Sequence, residues 1–123
     1  MLVSLKQELI PDQTKRLALG LSSGAWPLLQ RLKARNYVDQ LALPPIAASD
    51  VHGLRDQLLI APSSEIISKY WHQSKSLIFV GALAAVVRLI SPFLGKKDND
   101  PAILVMDSNA KHIVPLLGIH MAG

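Results

Sequence analysis

Apolar positions along the chain change their period several times, and each change marks an expected element. Leu17-Ala18-Leu19-Gly20-Leu21 is a short apolar run bounded by the loop-forming Ser22-Ser23-Gly24. Ala25-Trp26-Pro27-Leu28-Leu29-Gln30-Arg31-Leu32 then places apolar residues at helical spacing. The pattern predicts a strand, a tight turn and a helix, with Pro27 in the first turn, where a missing N–H is tolerated, and Ser22 or Ser23 as the cap. Val38 to Leu43 predicts a second strand, stopped by Pro44-Pro45. Ser49-Asp50 predicts the cap of a short helix through Leu58, and Ser63-Ser64-Glu65 the start of another, with Ile66, Ile67, Tyr70 and Trp71 as its apolar face.

Ser76 to Val80 is apolar on both faces, as a central parallel strand would be, and Gly81 ends it. Ala82 to Leu94 has helical composition, with Leu83, Val86, Val87, Ile90 and Leu94 on the side expected to be buried and Arg88 leaving that face. A polar loop from Gly95 to Pro101 precedes a fourth strand, Ala102 to Met106. Asp107-Ser108-Asn109 reads as a turn and Lys111 to Val114 as an antiparallel fifth strand. Strands alternating with helices predict an α/β domain of three layers, its sheet mostly parallel with a C-terminal antiparallel hairpin strand. The expected order of the first four strands is 2-1-3-4. Such sheets bind ligands at the carboxyl ends of their strands, so Gly20 to Gly24, Gly81 to Ala82 and the Asp107 turn are candidate site loops.

The length of 123 residues suits one domain, read as residues 17–123 behind a flexible leader, residues 1–16. Lys6, Glu8, Pro11 and Asp12 interrupt any secretory core in that leader. The long apolar stretch Leu77 to Leu94 is read as strand and helix rather than a membrane span, because Arg88 and Ser91-Pro92 interrupt it. The absence of cysteine excludes disulfides, thiolate zinc sites and cysteine nucleophiles, and fits the cytoplasm. A net charge of +4 suits an anionic ligand. The basic residues are scattered, however, and no aromatic platform accompanies them, which argues against nucleic acid. His52, His72 and His112 show no metal-ligand spacing with any neighbour, so no metal site is expected. Ser22-Ser23-Gly24 can hold an anion on helix amides but is too short for a P-loop and lacks its lysine.

Three ordered stretches carry a resemblance. They are Ile78-Phe79-Val80-Gly81-Ala82-Leu83, Val87-Arg88-Leu89-Ile90-Ser91-Pro92-Phe93-Leu94, and Lys97 with Asp100-Pro101-Ala102-Ile103-Leu104-Val105-Met106-Asp107. Together they resemble the CbiG family, in which a strand ends in G-A, a helix carries V-R-x-I-x-P-x-L, a loop carries K-x-x-D-P-A, and a strand ends in Asp before a hairpin. His112 to Gly123 is similar to the family's I-x-L-L-S-G-H-x-G-G-A-N run, with His120 in the histidine position. Gly118-Ile119 stands where the family has S-G, and Ala122-Gly123 where it has G-G, so backbone built for close ligand approach is altered. The resemblance implies a part in anaerobic cobalamin biosynthesis, opening the δ-lactone of cobalt-precorrin-5A and releasing acetaldehyde to give cobalt-precorrin-5B. It implies a tetrapyrrole substrate that brings its own cobalt, no other cofactor, and further domains or a fused precorrin C17-methyltransferase beside this fragment. The alternative from another class is a non-catalytic docking or corrinoid-binding module associated with such a methyltransferase.

Within that resemblance, lactone opening asks for a base, oxyanion stabilisation and donors for a carboxylate-rich substrate. His120 is the base by chemical type, or else a loop residue bonding backbone. Arg88, the one charge in the Leu77–Leu94 stretch, is expected to need a partner, either substrate or, by preference, Asp100 or Asp107. Asp100 and Asp107 read first as loop and turn residues and second as substrate contacts. Lys97 is either a solvated loop residue or a steering charge, and Gly81 either a turn or a close approach to ligand.

Overall fold

The computed structural model describes residues 16–53, 57–95 and 100–117. Its strands are β1 (Arg16–Gly20), β2 (Gln40–Leu43), β3 (Leu58–Ile60), β4 (Ser76–Val80), β5 (Ala102–Met106) and β6 (Ile113–Leu117). The helices are α1 (Trp26–Ala34), α2 (Pro45–Ala48), α3 (Ser63–Tyr70) and α4 (Leu83–Ile90), with 3-10 turns at Ser23–Ala25 and Ser91–Phe93. One six-stranded sheet runs in the order β3-β2-β1-β4-β5-β6. The first five strands are parallel and β6 pairs antiparallel with β5.

Alternation along the strands explains the layers. Ala18, Leu41, Leu43, Ile78, Val80 and Met106 meet α1 and α2 on one face. Leu17, Leu19, Ala42, Leu77, Phe79, Ile103 and Val105 meet α3 and α4 on the other. Both faces of each central strand are therefore apolar, the mark of a parallel sheet covered on two sides. β4 is the clearest case, with Leu77, Ile78, Phe79 and Val80 all buried. The three-layer α/β architecture and the hairpin partner are as expected, and the predicted order 2-1-3-4 corresponds to the central β2-β1-β4-β5.

Four local expectations are corrected. Among the described residues no helix starts at Ser49-Asp50: Pro44-Pro45 starts α2, with Pro45 pre-set for the first turn, and Ser49 ends it. Leu58–Ile60 instead adds an edge strand parallel to β2, its Leu41↔Leu58 register burying Leu58. Neither Ser22 nor Ser23 caps α1; the chain enters through the 3-10 turn, with Ala25 N donating to Ser22 O. α4 ends at Ile90, and with one side on the sheet it buries Val86 and Ile90 while leaving Leu83, Val87 and Leu94 exposed. The fifth predicted strand shifts towards the C-terminus, from Lys111–Val114 to Ile113–Leu117, because the hairpin loop takes up Lys111 and His112.

The stretch Leu77 to Leu94 is thus a strand, a turn and a helix of 8 residues. Among the described residues no helix is long and apolar enough to cross a membrane. Pro115 lies within the edge strand β6, where a residue without an N–H weakens pairing with any further strand.

Candidate functional site at the carboxyl edge of the sheet

From β1 the chain builds β2 and β3 to one side, then returns to build β4, β5 and β6 on the other. The switch point lies between β1 and β4, and in open α/β sheets ligands bind outside the carboxyl ends of the strands at such a point. Main-chain pairing continues past the strands here, Leu21 N donating to Val80 O at 3.0 Å and Gly81 N to Met106 O at 2.9 Å. α4 starts directly above with no side-chain cap and no acidic residue in its first turn, so its positive end faces this edge.

Two glycines shape the edge. A Cβ on Gly20 would lie 2.7 Å from the Ala25 Cβ and 2.8 Å from Leu43 Cδ2, so the start of α1 packs directly on the end of β1. A Cβ on Gly81 would lie 2.8 Å from Leu21 Cδ1. Leu21 therefore occupies the space that the missing side chain leaves. Gly81 follows β4 directly, as the sequence predicted for the strand's end, and the packing of Leu21 is by itself sufficient reason for a glycine there.

Asp107 follows β5 at the same edge. Its Oδ1 accepts from Lys111 N at 2.8 Å and His112 N at 3.3 Å, and its Oδ2 lies 2.8 Å from His112 Nδ1. The hydrogen bond from the His112 ring holds the Asp107 carboxyl below its ordinary range, assisted by the two backbone N–H groups and opposed by desolvation. With a carboxylate as acceptor, Nδ1 carries the proton and the ring is oriented through it. The His112 side chain is 79% exposed, so its other nitrogen is open to a bound group. Reading the histidines for metal spacing alone passed over this pair. The signal was present in Asp107-Ser108-Asn109 followed by His112, since an aspartate opening a hairpin commonly bonds N–H groups just beyond the turn.

The remaining sequence candidates lie elsewhere. Asp100 precedes β5, at the amino edge of the sheet, where its carboxylate accepts from the buried Trp71 Nε1 at 3.0 Å and from Gly95 N at 3.1 Å. β5 separates it from Asp107 by roughly 20 Å of extended chain. Arg88 does not sit in the core: it is exposed in the last turn of α4 and bonds neither Asp100 nor Asp107. Arg88 leaves the buried face as expected, but the preferred internal pairing with Asp100 or Asp107 is corrected, because the outer side of α4 faces away from the sheet and both carboxylates are taken up locally. Lys97 and His120 lie outside the described residues. Among the described residues no group of three His, Cys, Asp or Glu side chains converges as a metal site.

Comparison with known proteins gives this edge a context. Residues 65–123 match the family described as cobalamin synthesis G N-terminal, a stretch that begins in α3 and takes in β4, α4, β5 and β6. A cobalt-precorrin-5A hydrolase from Salmonella typhimurium is 40% identical over 48 residues, covering 39% of this chain and 14% of that protein. One from Priestia megaterium is 34% identical over 58 residues, covering 47% of this chain and 16% of that protein. The matched stretch of the chain thus covers about one seventh of the length of these relatives. A crystal structure described as a cobalamin biosynthesis protein G homolog from Sulfolobus solfataricus superimposes with a TM-score of 0.61 at 18% identity, over 91% of this chain and 32% of that one. That likeness shows the shared fold across nearly the whole chain.

Proposed function

We propose, from the match of residues 65–123 to the cobalamin synthesis G N-terminal family, that the chain is part of the cytoplasmic hydrolase that opens the δ-lactone of cobalt-precorrin-5A and releases acetaldehyde, giving cobalt-precorrin-5B. The observation that carries the reading is the family match over residues 65–123, beside two relatives named cobalt-precorrin-5A hydrolase. In the reaction, water oxygen bonds to the lactone carbonyl carbon, the ring C–O bond breaks, and the proton lost by water ends on the departing alkoxide; that hydroxyl then gives up its proton as the bond between its carbon and the macrocycle breaks, which frees acetaldehyde and leaves the electron pair on the macrocycle. His120 is the proposed base. Gly81, Arg88, Lys97, Asp100 and Asp107 are the proposed substrate-side residues, of which Gly81 and Asp107 stand at the carboxyl edge. The cobalt is written as part of the tetrapyrrole substrate, and no cofactor of the protein's own enters this reading.

A chimera tests it. Residues 65–123 replace the corresponding segment of the Salmonella relative, and the folded product is incubated with cobalt-precorrin-5A while acetaldehyde is followed. Release near the relative's own rate is the expected result. A chimera that folds and binds but releases none would overturn the hydrolase reading in favour of a non-catalytic corrinoid-binding or methyltransferase-docking module. The chain alone is expected to release no acetaldehyde, since it spans so little of the relatives.

A further inference from the structure

The two faces of the sheet are covered unequally. On the α3 and α4 side, helices lie over β4 and β5. On the other side α1 covers β1 and its neighbours, and no described helix lies beyond it over β5 and β6. Along the flank of α1 runs a groove of about 130 Å³, floored by Leu28, Leu32, Met106 and Ala110. Arg31, Arg35 and Tyr37 form its wall and rim.

Three features of the groove bear on what it takes. Arg31 and Arg35 stand one helical turn apart, so their guanidinium groups share one side of α1. Both are exposed, neither side chain has a hydrogen bond or ion pair with a described residue, and no acid lines the groove. The other cations of this region are engaged: Lys33 Nζ donates to Asp39 O at 2.7 Å and Arg16 pairs with the Asp39 carboxylate at 2.7 Å. Second, the apolar floor does not stop at Met106. Residues paired across an antiparallel ladder share a face, so Ile113 opposite Met106 and Pro115 opposite Leu104 extend it to the sheet edge. Ile113 is 54% exposed and Pro115 is exposed too, so this apron is open. Third, the groove is comparable to a cavity of roughly 150 Å³ that holds a benzene ring, room for one carboxyalkyl arm and too little for a macrocycle.

We infer that this groove and apron form a binding subsite for a flat, apolar-bodied polycarboxylate, one carboxylate arm entering the groove towards Arg31 and Arg35 while the body lies on Leu104, Ile113 and Pro115. The identification of that ligand as the corrinoid substrate rests on the proposed function; the charge and shape argument rests on the groove itself. The planar guanidinium fork suits a carboxylate, and the bare sheet face loses water when a flat ring covers it. The subsite is on the sheet face beside α1, separate from the Gly81 switch point.

The test uses the chain itself, with methionine methyl groups and backbone amides labelled for NMR, so that Met106 reports from the groove floor and Gly81 and His112 from the carboxyl edge. The probes are dicyanocobyrinic acid, a cobalt corrin polycarboxylate, and its fully methyl-esterified form, which keeps the ring and loses the charge. The acid is expected to shift the Met106 methyl signal saturably, and the ester to bind several-fold more weakly. The Arg31→Gln/Arg35→Gln double variant, both positions being exposed, is expected to keep the parent melting temperature and to weaken the acid roughly fivefold or more. An acid titration that leaves Met106 unmoved overturns the subsite, including one that shifts only the Gly81 and His112 amides; that last result leaves the hydrolase reading standing. Equal affinity in the double variant, or equal binding of acid and ester, also overturns it. Failure of the chimera to release acetaldehyde speaks against the hydrolase reading and leaves the groove result intact.

Discussion

The two edges of the sheet are built differently. At the amino edge, polar side chains are spent on the fold: Asp39 takes Arg16, and Asp100 takes the indole of Trp71 and the amide of Gly95. At the carboxyl edge, polar groups stay at the surface and closeness is achieved by leaving side chains out, at Gly20 under α1 and at Gly81 under Leu21. Asp107 bonds only within its own hairpin, and His112 faces solvent. The amino edge therefore reads as a closure, and the carboxyl edge as a surface that can be altered without loosening the core, except at its glycines.

The largest expected effect is at Gly20. Gly20→Val must displace the Ala25 Cβ, which has no rotamer to move to, so it should cost about 3 kcal/mol or prevent folding. Urea denaturation measures it, and a near-neutral result would mean that the start of α1 is not held on β1 as described. Next is Asp100→Ala, which leaves the Trp71 N–H inside the core without an acceptor and should cost about 1–3 kcal/mol. Asp100→Asn keeps an oxygen acceptor and should recover part of that stability in the same denaturation experiment. If Asp100→Ala is neutral, the contrast between the edges fails.

Gly81→Ala should cost roughly 1–2 kcal/mol, less than Gly20→Val, because it adds one methyl against the half-buried Leu21 side chain, whose Cδ1 and Cγ can turn away although its Cβ, at 3.0 Å, cannot. Asp107→Asn should show its effect chiefly through pH. The Asp107 carboxyl is depressed in the folded chain, so the stability it contributes is present above the ordinary carboxylate range and is lost as pH falls through the lowered value. Melting curves across that acid range should show a shallower decline for the variant than for the parent, and parallel declines would remove Asp107 from the account. Smallest of all, Arg88→Ala should stay within about 0.5 kcal/mol of the parent in urea denaturation, as an exposed substitution without partners does.

Arg88 shows how far a one-dimensional pattern reaches. Val86, Val87, Leu89 and Ile90 surround it in sequence, and in so apolar a setting its charge is expected to need a partner. Among the described residues the folded helix packs on the sheet side, and Val87 and Arg88 both reach solvent. The same gap explains β3: Leu58-Leu59-Ile60 is too short to declare a strand by periodicity, and it becomes one because β2 offers a free parallel edge. The Asp107–His112 pair had a local signal that metal spacing did not look for. Lys97 and His120 stay where the resemblance put them, as proposals.

The sequence by itself determined the layered α/β class, the central strands and the side of α3 that packs inward. Those follow from the periodicity of apolar residues, which local backbone geometry converts directly into faces. The family resemblance was also legible, because Gly81, Arg88, Asp100 and Asp107 fall in order along the chain. Only the tertiary structure decided that Asp100 and Asp107 stand at opposite edges, that Leu21 fills the space beside Gly81, and that Arg31, Arg35 and Met106 share one groove. Each of these depends on which strands become neighbours and which helix flank meets them, and such long-range pairings leave no fixed spacing in the sequence to read.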